Sequence, residues 1–290
     1  MRRTQQFAAT AVIVTVLVGN ANGEVERPGQ EEFGLSMKEL VQAVEKVEAL
    51  IAECMREQGF RYIAVDFATV RRGMNAIMSL PGLDEEKFIE QHGFGIATLY
   101  TGQPPQLIEG YSPGKVGLGE RNVEIFKGLS PADQVAYNRA LFGPNTDATF
   151  AIAIDIEDFS QCGGCTLKAI EQVFAPEQLK VTYYNPKDAL IDQDPRMKAA
   201  LRTYAHEMSK AGFDYDHPEE VEADIRERLY AITRGETILH DKLAPQQREA
   251  LRELQEYERR VSVINYRLEE EVLDEVEDQI EDELFPREVK

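Results

Sequence analysis

The 290-residue chain has no tryptophan, three cysteines, four histidines and a deficit of positive charge: 32 Lys+Arg against 52 Asp+Glu, a net charge of −20. Each shortage excludes something. Without a basic face there is no purchase for nucleic acid or for an anionic membrane, so no nucleic-acid partner is expected. His92, His206, His217 and His240 show neither HExxH nor another paired spacing, and three cysteines cannot complete a four-ligand zinc set, so no metal centre and no cofactor is expected. Asp214-Tyr215-Asp216-His217-Pro218 begins like a calcium loop but lacks the central glycine and places proline at the fifth ligand position; it reads as a turn and helix cap. No Gly-x-Ser-x-Gly elbow is present for a serine hydrolase. Gly114-Lys115-Val116-Gly117-Leu118-Gly119 has glycine and lysine, but not in phosphate-loop order.

What is present suits a folded protein: 43% hydrophobic and 29% charged residues, in a length for one large domain or two ordinary ones. Residues 1–23 read as a cleaved signal peptide. Arg2 and Arg3 precede the twelve-residue apolar run Phe7–Val18, and Gly19-Asn20-Ala21 or Ala21-Asn22-Gly23 offers small residues for cleavage. Twelve residues span about 18 Å as a helix against a hydrocarbon core of about 30 Å. A secreted or extracytoplasmic protein with no membrane span after signal removal is therefore expected. The first cysteine, Cys54, lies too far from the cleavage region for lipid attachment.

The mature chain reads as mainly α. Residues 24–34, with Pro28, Gly29 and Gly34, read as a flexible leader. Residues 35–185 form an N-terminal helical unit and 186–290 a C-terminal one. Ser36-x-x-Glu39 is a capping box, and Leu40, Val44, Val47, Ile51, Cys54 and Met55 give one apolar face until Gly59-Phe60 ends the helix. Asp84 caps a helix ending before Gly93-Phe94, and Ser130-Pro131 opens another that closes at Gly143. Between them, the glycines and prolines of 101–119 predict a long loop, where an apolar binding groove would sit. At most a minor strand is expected near 149–156, where Phe150 to Ile156 alternates with period two. Asp194-Pro195 and His217-Pro218 open two further helices, the first ended by Gly212-Phe213. Nothing breaks a helix over 245–285, roughly 60 Å. Its stripe drifts from three- and four-residue steps to steps of four, so it is not a strict heptad; the helix should pack on the body, then project or pair as a coiled coil.

Ala52–Tyr62 and Ala205–Tyr215 echo one another at an offset of 153, sharing Ala, Met, Gly, Phe and Tyr. A duplicated helix-end unit, its halves meeting near 185–195, is one reading; a common Gly-Phe helix stop is the other. The cysteines also leave alternatives. Cys162-Gly163-Gly164-Cys165 has the spacing of a thiol–disulfide oxidoreductase at a helix start, though no tryptophan precedes it and residues 176–290 offer no further strands. In an exported chain a structural bridge from Cys54 to Cys162 or Cys165 competes with that reading.

Cys54-Met55-x-x-x-Gly59-Phe60-x-Tyr62, Gly163-Gly164-Cys165-Thr166, Gly212-Phe213-Asp214-Tyr215 and Tyr257-Glu258-x-x-Val261-x-Val263 resemble a family of exported, often lipid-anchored actinobacterial proteins of uncharacterised function. The resemblance spans about residues 40–270. It implies a Cys54–Cys165 bridge and carries no activity. Such proteins often have cysteine where Glu207 and Leu268 stand here, and the lipid-attachment cysteine is missing too.

Residues 269–283 hold ten Asp or Glu and no base. They read as a solvated helix face, a surface for divalent cations, or a docking face for a basic partner; repulsion at i, i+4 should fray the helix beyond about Glu270 unless something basic covers it. The functional expectation is an exported, non-catalytic binding or interaction protein, with thiol–disulfide exchange at Cys162/Cys165 as the alternative.

Overall fold

The computed structural model describes residues 27–74 and 83–286; the signal segment 1–23 lies outside them. The described residues form helices and no strand. In chain order these are α1 (Met37–Glu57), α2 (Phe67–Met74), α3 (Glu85–His92), α4 (Pro113–Leu118), α5 (Glu120–Lys127), α6 (Pro131–Phe142), α7 (Phe150–Asp155) and α8 (Gly164–Ile170). The second half adds α9 (Pro186–Gln193), α10 (Pro195–Ala211), α11 (Pro218–Thr233), α12 (Pro245–Leu268) and α13 (Asp274–Leu284), the last two joined by a π-helical turn at Glu269–Leu273.

Two apolar cores organise these helices. In the first, Leu40, Val44, Ile51 and Met55 of α1 pack against α8, and Cys54 is bridged to Cys165 with Cα atoms 5.6 Å apart. In the second, α12 packs on α11, α10 and α3 through Leu251, Leu254, Val261 and Leu268. Residues 83–100, placed by the sequence in the first unit, contribute Phe88, Ile89, Phe94 and Ala97 to the second core instead.

Several helix boundaries follow the local chemistry of the chain. The Ser36/Glu39 capping box forms, Ser130 and Asp194 cap with proline at the next position, and α10 ends on left-handed Gly212. The echoed windows share one cap: Phe60 N–H donates to Met55 O at 2.9 Å and Phe213 N–H to Met208 O at 3.0 Å, over two fully buried methionines. Their tyrosines diverge, Tyr62 donating to Glu48 and Tyr215 to Asp224.

Three expectations need correction. The strand candidate 149–156 is helical: Phe150, Ala151, Ala153 and Ile154 are buried, a helical set that an almost wholly apolar run disguises as alternation. Ala151 also needs α2 and α4 close by, since a Cβ on Gly117 would lie 2.7 Å from its own Cβ. The 101–119 segment is not a bare loop. It contains a 3₁₀ turn at Pro105–Leu107 and α4, capped by Ser112, with Gln106 and Leu118 buried.

The leader is ordered over its described part, because Phe33 is buried and stacks on Phe159 at 4.5 Å. The C-terminal helix continues past Glu270 because basic side chains cover it, the condition on which its acidic run was expected to hold. Leu273 and Ile280 are buried in the second core, Arg196 pairs with Glu283 at 2.8 Å and Lys187 lies 3.7 Å from Glu281. The wide π turn puts Leu273, five residues after Leu268, on the core side and leaves Val272 half-buried, re-phasing the drifting stripe.

Candidate functional site

Where α9, the start of α11, the π turn and α13 converge, they leave a cleft of about 160 Å³. α9 brings Asp188 and Asp192, the α11 start brings His217 and Glu219, and the π turn with α13 brings Glu269, Asp274 and Glu277. Ile191, Met197, Leu201 and Leu273 supply apolar lining. Six carboxyl groups thus face one imidazole, and no lysine or arginine lines the cleft among the described residues.

The local sequence explains how these groups come to face inward. Asn185-Pro186 starts α9 with an Asx cap, its Oδ1 accepting Lys187 N–H at 2.9 Å. On that helix Asp188 and Asp192 are four residues apart, hence on one face. His217 caps α11, Nδ1 accepting Glu219 N–H at 3.3 Å, and its Nε2 lies 3.6 Å from Asp192, in keeping with the turn-and-cap reading. Tyr184 Oη donates to Asp192 at 2.6 Å.

The carboxyl groups differ in how easily they ionise. Burial first, then Glu222, Asp274 and Glu277, pushes Glu269 up to about 8. Glu219 rises to about 7, through burial opposed by His217 and reinforced by Asp188 and Asp192. Asp188 and Glu277 are also raised by burial, against the pull of Lys187. Asp192 is the exception: burial pushes it up, but the His217 imidazole 3.6 Å away and the hydrogen bond from Tyr184 bring it below its usual value. Burial pulls His217 down, but Asp192 and nearby glutamates outweigh it and hold the imidazole above its ordinary value. The cleft is therefore a negative site whose nearby cations are His217 and Lys187, the latter 3.6 Å from Asp188 but outside the lining, a place where an added positive charge is favoured. Among the described residues no three His, Cys, Asp or Glu converge closely enough to hold a metal ion.

The other sequence-flagged residues lie elsewhere. His92, His206 and His240 fall on separate elements, at the end of α3, on α10 and in a 3₁₀ turn at His240–Lys242. Cys165 is bonded to Cys54, so Cys162 and Cys165 are not joined to each other. Cys162 is a buried thiol, pushed up to about 12 by burial and then by Asp158. Such a thiol is a poor nucleophile. The Gly-Gly pair serves close packing: a Cβ on Gly163 would lie 2.5 Å from Phe142 O, and one on Gly164 2.4 Å from Ala140 O.

Sequence reasoning flagged His217 and the 269–283 carboxylates but missed Asp188, Asp192 and Glu219, which only the packing of α9 against α10 and α13 gathers. It also missed two buried carboxylates that hold local backbone. Glu258 accepts Ile96, Ala97 and Thr98 N–H at 2.8–2.9 Å, and Glu48 accepts Val65 N–H at 3.2 Å and Tyr62 Oη at 3.0 Å. Both had a readable signal, a charge on the apolar stripe of its helix, Glu258 between Leu254 and Val261 and Glu48 between Val44 and Ile51.

Comparison with family models, with curated proteins and with solved structures finds no match.

Proposed function

We propose that this is an exported, non-catalytic binding protein whose cleft takes a small organic cation, an amine the size of a diamine or of a lysine side chain. The observation that carries the proposal is six carboxyl groups around about 160 Å³ with no lysine or arginine in the lining among the described residues. The apolar lining from Ile191, Met197, Leu201 and Leu273 suits methylene groups, while the carboxylates suit ammonium ends. A desolvated ammonium among carboxylates forms charge-assisted hydrogen bonds. Export is supported by Arg2, Arg3 and the Phe7–Val18 run, and the Cys54–Cys165 bridge is compatible with it.

The test is calorimetric titration with 1,5-diaminopentane at pH 8 and low salt, with calcium as comparator. Binding should weaken with added salt. Glu269→Gln and Asp192→Asn should each lower affinity by about tenfold, the loss of one charge-assisted contact. Absence of heat up to millimolar amine, or binding untouched by either substitution, overturns the proposal.

A further inference from the structure

Residues 27–36 form a strap that touches three parts of the molecule. On the first core, Phe33 stacks on Phe159 and its carbonyl accepts Gln178 Nε2 at 3.3 Å. At the end of α13, Gln30 Nε2 donates to Phe285 O at 2.9 Å and the Arg27 guanidinium reaches Leu284 O. At the start of α9, Asn185 Nδ2 donates to Glu31 O at 3.4 Å.

One side chain gathers these contacts. Glu157, two residues beyond the end of α7, accepts both the Phe33 N–H and Asn185 Nδ2, the latter at 2.8 Å. The same Asn185, 4% exposed, caps α9 with its Oδ1. Strap, Glu157 and α9 are therefore linked through a single amide. The backbone is strained where they meet: Glu157 has φ of 50° and Phe33 has φ of 60°, left-handed values that disfavour both side chains. Glycine would sit at 157 without strain but could not hold Phe33 or Asn185, so the position is occupied at a conformational cost by the residue that makes the contacts. Gly29 keeps the strap folded on itself, since a Cβ there would lie 2.0 Å from Leu35 O.

We propose that the strap is a latch: seated on Glu157 and Asn185 it holds α9, and with α9 the Asp188/Asp192 wall of the cleft, and its release frees that wall to move. Only the consequence for ligand rests on the amine-binding reading; the latch itself does not.

Hydrogen exchange followed by mass spectrometry on the full chain tests it, without ligand, in wild type, Glu157→Gly, Glu157→Gln and Gly29→Val. The amides of 29–36 and of 189–194 should exchange about tenfold faster together in Glu157→Gly and in Gly29→Val, with α1 and α12 unchanged. Glu157→Gln, whose amide oxygen still accepts both donors, should match wild type. The latch is overturned if the strap loosens while α9 stays protected, if neither loosens, or if both destabilising variants speed exchange throughout the molecule. A cleft that fails to bind amines leaves this readout intact, so the two proposals fail separately.

Discussion

Removing the Cys54–Cys165 bridge should cost a third or more of the margin by which the protein is stable. The bridge joins α1 to α8 across a sequence separation of 111 residues. In the chain-entropy relation, −2.1 − 1.5R ln n cal/mol/K, a loop of that size gives about 16 cal/mol/K, or about 4.8 kcal/mol at 25 °C. Ordinary domains are stable by roughly 5–15 kcal/mol, so the loss takes a third or more of the total. The perturbation is Cys54→Ala/Cys165→Ala, which leaves buried Cys162 as the one thiol and so avoids exchange between pairs. Urea unfolding at neutral pH, read by helical circular dichroism, should show the midpoint falling and the slope m rising, because the uncrosslinked unfolded chain exposes more surface. A loss under about 1 kcal/mol with unchanged m would refute the loop-closure reasoning. So would peptide mapping of the wild type that finds Cys162 in the bridge.

Other outcomes follow from the buried carboxyl groups. Glu258→Ala leaves the Ile96, Ala97 and Thr98 N–H groups without their acceptor inside the second core; a loss of about 3–5 kcal/mol is expected in thermal or urea unfolding, and a loss below about 1 kcal/mol would show those groups are satisfied otherwise. Burial raises Glu48, Glu157 and Asp155 to about 7 and Glu269 to about 8. The folded chain thus holds protons that the unfolded chain releases near pH 4.5, so this stabilisation is full below about pH 4.5 and is lost as pH rises to about 8. The melting temperature should be higher at pH 5 than at pH 8, and Glu48→Gln, which keeps an oxygen for Tyr62 and Val65, should flatten the slope. A slope of the opposite sign, or one Glu48→Gln leaves untouched, counts against the burial assignment.

Much of the fold was legible because helix ends are local. Ser36 with Glu39, Ser130-Pro131, Asp194-Pro195 and Gly212 act through their own neighbours, and the structure starts or stops helices there. The misreadings share a different origin. Phe150–Ile156 is almost uniformly apolar, so period two and period 3.6 fit it equally, and only the close approach of Gly73, Gly117 and Ala151 favours the helix. The leader looked loose because a single aromatic, Phe33, carries its burial. The bases that cover the acidic tail, Arg196 and Lys187, lie about ninety residues away in sequence, so local reading left that cover open. The cleft was half visible: 269–283 stood out by composition, whereas Asp188 and Glu219 are ordinary helix-start acids and Asp192 an ordinary acid near the end of α9 until tertiary packing turns them toward the π turn.

Proton release on amine binding tests the cleft most directly. At pH 7 Glu219 and Glu269 are partly protonated, their values being about 7 and about 8. An ammonium group favours their ionised forms and so must expel protons. Titrating 1,5-diaminopentane into the protein at pH 7 in phosphate and in Tris, whose ionisation heats differ widely, gives the number released. About one proton per amine bound, falling in Glu269→Gln, is the predicted result. Equal heats in the two buffers, or no binding in either, would contradict it.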